Sequence, residues 1–148
     1  MKTLIIILIL ASFLQTTIIP MDLVLIILIC RSYIKISKSN LYLALFFGLL
    51  ISHLKLTYLG FDSLVYLIAV QITQILSKSR LAGNSLLIIP LTFVLITLSQ
   101  FINFLFLHES LNLFPKVLIE AGISLLVLYV LRIWEERFIV QGGIQLKV

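Results

Sequence analysis

The stretch LYLALFFGLLISHLKLTYLGFDSL, residues 41–64, decides the fold of this chain. It begins with an apolar run that contains Gly48, turns at Gly60, and enters a second apolar run at Asp62. The polar residues that interrupt it are Ser52, His53 and Lys55. Two apolar runs joined by a glycine-containing turn predict a helical hairpin, because glycine adopts the backbone conformations that tight turns require. The rest of the chain repeats this alternation of apolar runs and short polar breaks.

The composition indicates that the hairpin lies in a lipid bilayer. Of the 148 residues, 61% are hydrophobic and 11% are charged, and the mean hydropathy is +1.23. A soluble domain has about 45–50% apolar and about 25% charged residues. Six spans of about 20 residues would use about 120 residues, which leaves short loops and no room for a separate soluble domain. We therefore predict an all-α integral membrane protein, a single domain that is a bundle of six transmembrane helices.

The charged and reactive residues argue against several functional classes. The net charge of +5 comes from basic residues that lie singly between apolar runs, which does not favour nucleic acid binding. The single cysteine, Cys30, has no partner for an intramolecular disulfide. The two histidines and six carboxylates lack the spacing of a metal site, and no phosphate-binding or nucleophile motif is present. We expect a protein that is not an enzyme and has no metal or cofactor.

Helix boundaries follow from the polar breaks. The predicted helices are residues 3–19, 23–34, 41–54, 62–76, 86–107 and 113–134, with a cytoplasmic tail at 135–148. The first run resembles a secretory signal, but without an A-x-A pattern we expect it to remain as the first span. Pro20 stops that helix and Asp22 suits the N-cap of the next. About 13 residues span only ~20 Å of a ~30 Å core, so helices two and three also fit a re-entrant pair.

The basic residues alternate between the two sides of the predicted membrane. With six crossings, nine of the eleven fall on one side: Lys2, Arg31, Lys35, Lys38, Lys78, Arg80, Arg132, Arg137 and Lys147. The other side receives Lys55 and Lys116. Because lysine and arginine are enriched in cytoplasmic loops, both termini are expected in the cytoplasm. A re-entrant pair would put the basic loop after helix two inside the membrane or on its outer side, which is costly.

Polar residues inside the spans form rows at helical spacing. The rows are Ser12, Gln15 and Thr16 on helix one, Ser99, Gln100 and Asn103 on helix five, and Lys116, Glu120 and Ser124 on helix six. They lie toward the outer half, and they predict either hydrogen bonds between helices or a groove for a ligand or partner helix. A carboxylate inside a span needs a partner, so we expect Glu120 to pair with Lys116; a proton relay through Glu120 is an alternative.

Three short motifs and the order of the spans resemble one known family. The motifs are LQTTIIP at residues 14–20 followed by Asp22-Leu23, FGLL at residues 47–50, and Leu59-Gly60 after the polar break. Together they resemble the MreD family of bacterial rod-shape-determining membrane proteins. Members of that family often have an aspartate a few residues after the glycine of helix three, where this chain has Ser52 and His53. The acidic residue appears later, at Asp62.

The resemblance implies a non-enzymatic scaffold in the bacterial inner membrane, a component of the cell-wall elongation machinery that binds a single-span MreC-like protein. Through that partner it would associate with a RodA-type glycosyltransferase, a penicillin-binding transpeptidase and MreB. The family is also similar in fold to the substrate-binding subunits of energy-coupling-factor transporters, so a subunit that binds a vitamin-like small molecule is the alternative. Candidate partner or groove residues are Gln15, Gly48, Ser52, His53, Lys55, Gly60, Asp62, Gln100, Asn103 and Glu120. Small residues expected to contact the partner's helix are Ala44, Gly48, Ser63 and Ala69.

Overall fold

The computed structural model describes residues 2–19, 21–78, 84–108 and 114–142, and these residues are helical with no β-strand. The helices are α1 (Lys2–Thr17), α2 (Leu23–Ile34), α3 (Lys38–Leu54), α4 (Phe61–Lys78), α5 (Ile88–Leu107) and α6 (Phe114–Gly142), and a 3-10 turn, Ser85–Leu87, precedes α5. The prediction of an all-α chain is confirmed. Two segments, Ile88–Leu107 and Pro115–Arg137, are long and apolar enough to cross a membrane. The prediction of six spans stays a prediction.

The third helix is longer than the sequence predicts. It begins at Lys38 because Ser37 adopts an extended conformation, and the Ser37 hydroxyl accepts a hydrogen bond from the Ser39 N–H at 3.3 Å. A serine in this position is a favoured N-cap. The 17 residues of α3 extend over about 25 Å at 1.5 Å per residue. The observed α3 is therefore closer in length to a full membrane span than the predicted helix, residues 41–54, is.

The sixth helix continues past its predicted end at Trp134 as far as Gly142. Residues 135–137 are Glu-Glu-Arg, which favour helix, and Arg132 Nε donates to Glu136 Oε1 at 3.3 Å, one turn further on. The predicted tail at 135–148 is thus helical over its first eight residues. Residues 143–148 lie outside the described part of the chain.

The short second helix is the centre of the bundle, because it packs against each of the other five. Six of its 12 residues are apolar with no exposed surface: Val24, Leu25, Ile26, Leu28, Ile29 and Cys30. A helix that is apolar on every side is suited to such a buried position. Nine of the 12 residues of α2 are buried, so the other helices cover most of its surface.

Successive helices run in opposite directions, which gives the bundle two ends. At one end Ser52 Oγ donates to Asp62 Oδ2 at 3.0 Å, which joins the end of α3 to the start of α4. At the other end Ser77 Oγ donates to the Tyr33 carbonyl at 2.8 Å, which joins the ends of α2 and α4. We name these the Glu120 end and the Tyr33 end, after a residue near each.

The most extensive helix contact is between α3 and α4, and it depends on Gly48. A Cβ atom at this position would lie 2.3 Å from Ser63 Cα and 2.7 Å from Ser63 N, so no larger residue allows the two backbones to approach this closely. Ala44 and Ala69, on the same two helices, are also buried. These small residues are buried within the chain's own structure, and their contact with a partner's helix stays a prediction.

We expect Gly48→Ala to lower the free energy of unfolding by about 1–3 kcal/mol, the usual cost of overpacking, because the added methyl group meets the α4 backbone. The measurement is unfolding of the detergent-solubilised protein followed by Trp134 fluorescence. Gly122→Ala on α6 is the matched control, because a Cβ there meets nothing within 4 Å. Equal stability of the two variants would contradict the close α3–α4 approach.

Candidate functional site

Polar side chains from α1, α3, α4 and α6 meet around the first turn of α2, at the Glu120 end. We name this group the polar cluster: Gln15, Asp22, Ser52, Lys55, Thr57, Asp62, Tyr66 and Glu120. All but Lys55 and Thr57 are buried. The cluster includes five of the residues that the sequence predicts for a site: Gln15, Ser52, Lys55, Asp62 and Glu120.

The amide of Gln15 joins three helices. Its Nε2 donates to Asp22 Oδ1 at 3.1 Å and to the Tyr66 hydroxyl at 3.3 Å. Its Oε1 accepts from the backbone N–H of Val24 at 3.1 Å. One side chain on α1 therefore contacts both the residue before α2 and the second turn of α4.

The first turn of α2 is capped by side chains from other helices. Asp22 occupies the predicted N-cap position, but its carboxylate makes no capping hydrogen bond. It lies instead beside Gln15 and 3.6 Å from Lys55 Nζ. The N–H groups of a first helical turn lack partners within the helix, and here Gln15 accepts from Val24 while Glu120 Oε1 accepts from the Asp22 N–H at 3.3 Å. The start of α2 thus depends on α1 and α6.

Glu120 is fully buried on α6, and its partner differs from the one expected. Among the described residues, no ion pair within 4.0 Å joins it to Lys116; Oε1 accepts the Asp22 N–H instead. The positive end of the α2 dipole favours a carboxylate at this place. The second oxygen, Oε2, is buried and has no hydrogen-bond partner among the described residues. The carboxylate is therefore half-satisfied.

The turn between α3 and α4 is held by a reciprocal pair of hydrogen bonds. Ser52 Oγ donates to Asp62 Oδ2 at 3.0 Å and accepts from the Asp62 N–H at 3.2 Å. Thr57 Oγ1 donates to the same carboxylate oxygen at 3.2 Å. The turn itself needs left-handed backbone at Leu56, with φ 54°, and at Gly60, with φ 94°. The predicted turn at Gly60 is confirmed, and Asp62 closes it.

Three predicted site residues lie apart from the cluster. His53 is exposed, while Gln100 and Asn103 are half-buried on α5. Gln100 Nε2 and Asn103 Oδ1 are buried atoms with no hydrogen-bond partner in the described part of the chain. Helix α5 is joined to α6 about two to three turns away from them, where the hydroxyls of Thr92 and Ser124 lie 2.9 Å apart.

Sequence reasoning missed Asp22, Thr57 and Tyr66 as members of the site. Tyr66 follows Asp62 by four residues, so the two share a helix face, and this spacing was the available signal. Asp22 was assigned to a cap, and nothing local indicates that Gln15 would take over that role. Within the described residues no group of three His, Cys, Asp or Glu side chains could hold a metal ion. The hydrogen bonds of the polar cluster hold the helices together.

Comparison with known proteins does not extend this description. The chain matches no protein-family model, no curated protein and no solved structure.

We expect Gln15→Ala to lower the free energy of unfolding by about 1–3 kcal/mol, because it leaves the Val24 N–H and the Asp22 carboxylate without a buried partner. Gln71→Ala on the exposed face of α4 is the matched control, with an expected change within about 0.5 kcal/mol. Both are measured by chemical unfolding in detergent. A Gln15→Ala protein as stable as the control would show that the cluster does not fasten the helices.

Proposed function

We propose that this chain is a six-span, non-enzymatic scaffold of the cell-wall elongation machinery in the bacterial inner membrane. It would hold a single-span MreC-like partner and, with it, the peptidoglycan synthases. The observation that carries this proposal is the polar cluster, whose buried side chains bind chiefly to one another. A cluster of this kind holds the helices of a bundle together. The outer surface of the bundle is then the part that is available to bind a partner.

The distribution of apolar surface supports embedding in a bilayer. Large exposed apolar side chains occur on every helix except α2, for example Phe13 (53%), Tyr42 (74%), Leu64 (61%), Phe106 (66%) and Leu126 (64%). Soluble monomers rarely expose contiguous apolar area on this scale. Lipid around the outer five helices would cover this surface, and α2 would be shielded from lipid by the bundle.

The α3–α4 hairpin also supports the proposal, at the position where the sequence departs from the family's usual pattern. The family's usual aspartate after the glycine is absent, and Ser52 stands near that place. In the folded chain the Asp62 carboxylate lies 3.0 Å from Ser52 Oγ. An acidic group from α4 therefore lies beside Ser52, and under the proposed assignment it would supply the carboxylate that an aspartate on α3 supplies in other members.

A second candidate, a small-molecule binding subunit of a membrane transporter, rests on three buried atoms. These are Gln100 Nε2, Asn103 Oδ1 and Glu120 Oε2, which lack hydrogen-bond partners among the described residues. Unpartnered polar atoms buried on α5 and α6 are groups that a bound polar ligand would satisfy. A stable complex with an ATPase module and a bound vitamin would favour this candidate over the scaffold.

The topology of the proposal is tested with two engineered cysteines. Leu59→Cys lies in the α3–α4 turn, where Leu59 is 76% exposed, and Ser39→Cys lies in the first turn of α3 at the Tyr33 end. We expect an impermeant thiol reagent to label Leu59→Cys in intact cells and Ser39→Cys only after permeabilisation, because the basic end is cytoplasmic. Cys30 is fully buried and gives little background. The reverse labelling pattern would overturn the orientation.

The function itself is tested by affinity purification and depletion. We expect the chain to co-purify with a single-span MreC-like protein, and depletion in its own cells to turn rods into spheres. An unrelated single-span protein of the same membrane is the control for nonspecific recovery. Unchanged cell shape, together with no recovery of the single-span partner, would exclude the scaffold function.

A further inference from the structure

A cleft of about 460 Å³ opens at the Tyr33 end of the bundle, away from the polar cluster. It lies between the end of α2, the end of α4 and the second half of α6. Its lining residues are Tyr33, Ile34, Lys35, Ile36, Ser77, Leu128 and Arg132. Clefts that bind small molecules or headgroups commonly have volumes of about 300–1,000 Å³.

The lining divides into an apolar wall and a cationic rim. Ile34, Ile36 and Leu128 form the apolar part, and Lys35 and Arg132 supply the positive charge. Lys35 is exposed and has no carboxylate within 4.0 Å among the described residues. Arg132 Nε already donates to Glu136 Oε1 at 3.3 Å, so a bound anion would compete with that carboxylate. The cleft is therefore suited to a molecule that has both a negatively charged group, for the rim, and an apolar part, for the wall.

The hydroxyl groups of the cleft are committed to protein acceptors. Tyr33 donates to the Asn84 carbonyl at 2.9 Å, and Ser77 donates to the Tyr33 carbonyl at 2.8 Å. These bonds hold α2, α4 and the segment before α5 in place around the opening. An anion in the cleft would therefore be recognised by Lys35 and Arg132.

We propose that this cleft binds the phosphate headgroup of an anionic phospholipid, with the acyl chains lying along the apolar wall. The inference rests on the proposed membrane location, which places the basic end at the cytoplasmic surface, where anionic lipids attract clustered lysine and arginine. An acidic protein segment would use the cations but not Ile34, Ile36 and Leu128. Free phosphate would also leave that wall uncovered.

The test uses the full chain in phosphatidylcholine nanodiscs titrated with phosphatidylglycerol, with bound lipid counted by native mass spectrometry. We expect Lys35→Gln/Arg132→Gln to weaken phosphatidylglycerol binding by at least about a hundredfold, because each lost hydrogen bond from a cation to the phosphate contributes about 1.5–3 kcal/mol and 1.4 kcal/mol corresponds to about tenfold. The matched control is Lys38→Gln/Arg137→Gln, which removes the same charge from exposed positions of the same end outside the cleft. It should lose at most about thirty-fold, because Lys38 and Arg137 contribute only the general attraction of an anionic surface, about 1 kcal/mol per cation.

Several outcomes would overturn the proposal. They are equal losses in the two double variants, inorganic phosphate binding as tightly as the lipid, or binding of an acidic peptide in place of phosphatidylglycerol. Should the cleft variant fail to fold, Lys35→Gln alone, at an exposed position, is the test, with an expected loss of at least about tenfold, against at most about fivefold for Lys38→Gln. Recovery of the single-span partner is a separate measurement, so loss of lipid binding with the partner retained would refute this inference and leave the scaffold function standing.

Discussion

The structure depends on the hydrogen bonds that reach the first turn of α2 from other helices. Helix α2 touches all five of its neighbours, yet it has no cap of its own, because the Asp22 carboxylate turns away. Gln15 from α1 and Glu120 from α6 accept the N–H groups of Val24 and Asp22 instead. Because a buried N–H without a hydrogen-bond partner lowers the stability of the folded state, α2 is stable only when α1 and α6 are in place. Helix α2, at the centre of the bundle, and helices α1 and α6, which pack against it, therefore stabilise one another.

This dependence explains where the polar and small residues are placed. Gly48 allows α3 and α4 to meet backbone to backbone, and the Ser52–Asp62 pair closes their turn. Both features lie inside the chain, where they hold α3 and α4 together. What remains outside is an apolar surface and two ends that differ in charge. Recognition by a protein of this design would depend on that surface and those ends, which is consistent with a scaffold.

Much of the fold follows from local pattern, whereas the site depends on contacts between distant residues. The helices and the turn at Gly60 could be predicted, because apolar runs and turn glycines act locally, whereas the close approach of α3 and α4 at Gly48 was not predicted. The need of Glu120 for a partner was also predictable, but its hydrogen bond comes from the Asp22 N–H, and no ion pair within 4.0 Å joins it to Lys116 among the described residues. Its actual partner, the Asp22 N–H, lies 98 positions away in the sequence. The extension of α6 beyond Trp134 was missed because a charged segment was interpreted as a tail.

The most direct test of this account is amide hydrogen exchange at the first turn of α2, in the native chain and in Gln15→Ala. The account predicts slow exchange of the Val24 N–H in the native protein, although first-turn amides lack partners within their own helix. In Gln15→Ala the Val24 N–H should exchange much faster, while the amides in the middle of α3 stay protected. Fast exchange in the native protein, or unchanged protection in the variant, would contradict the claim that α1 fastens α2.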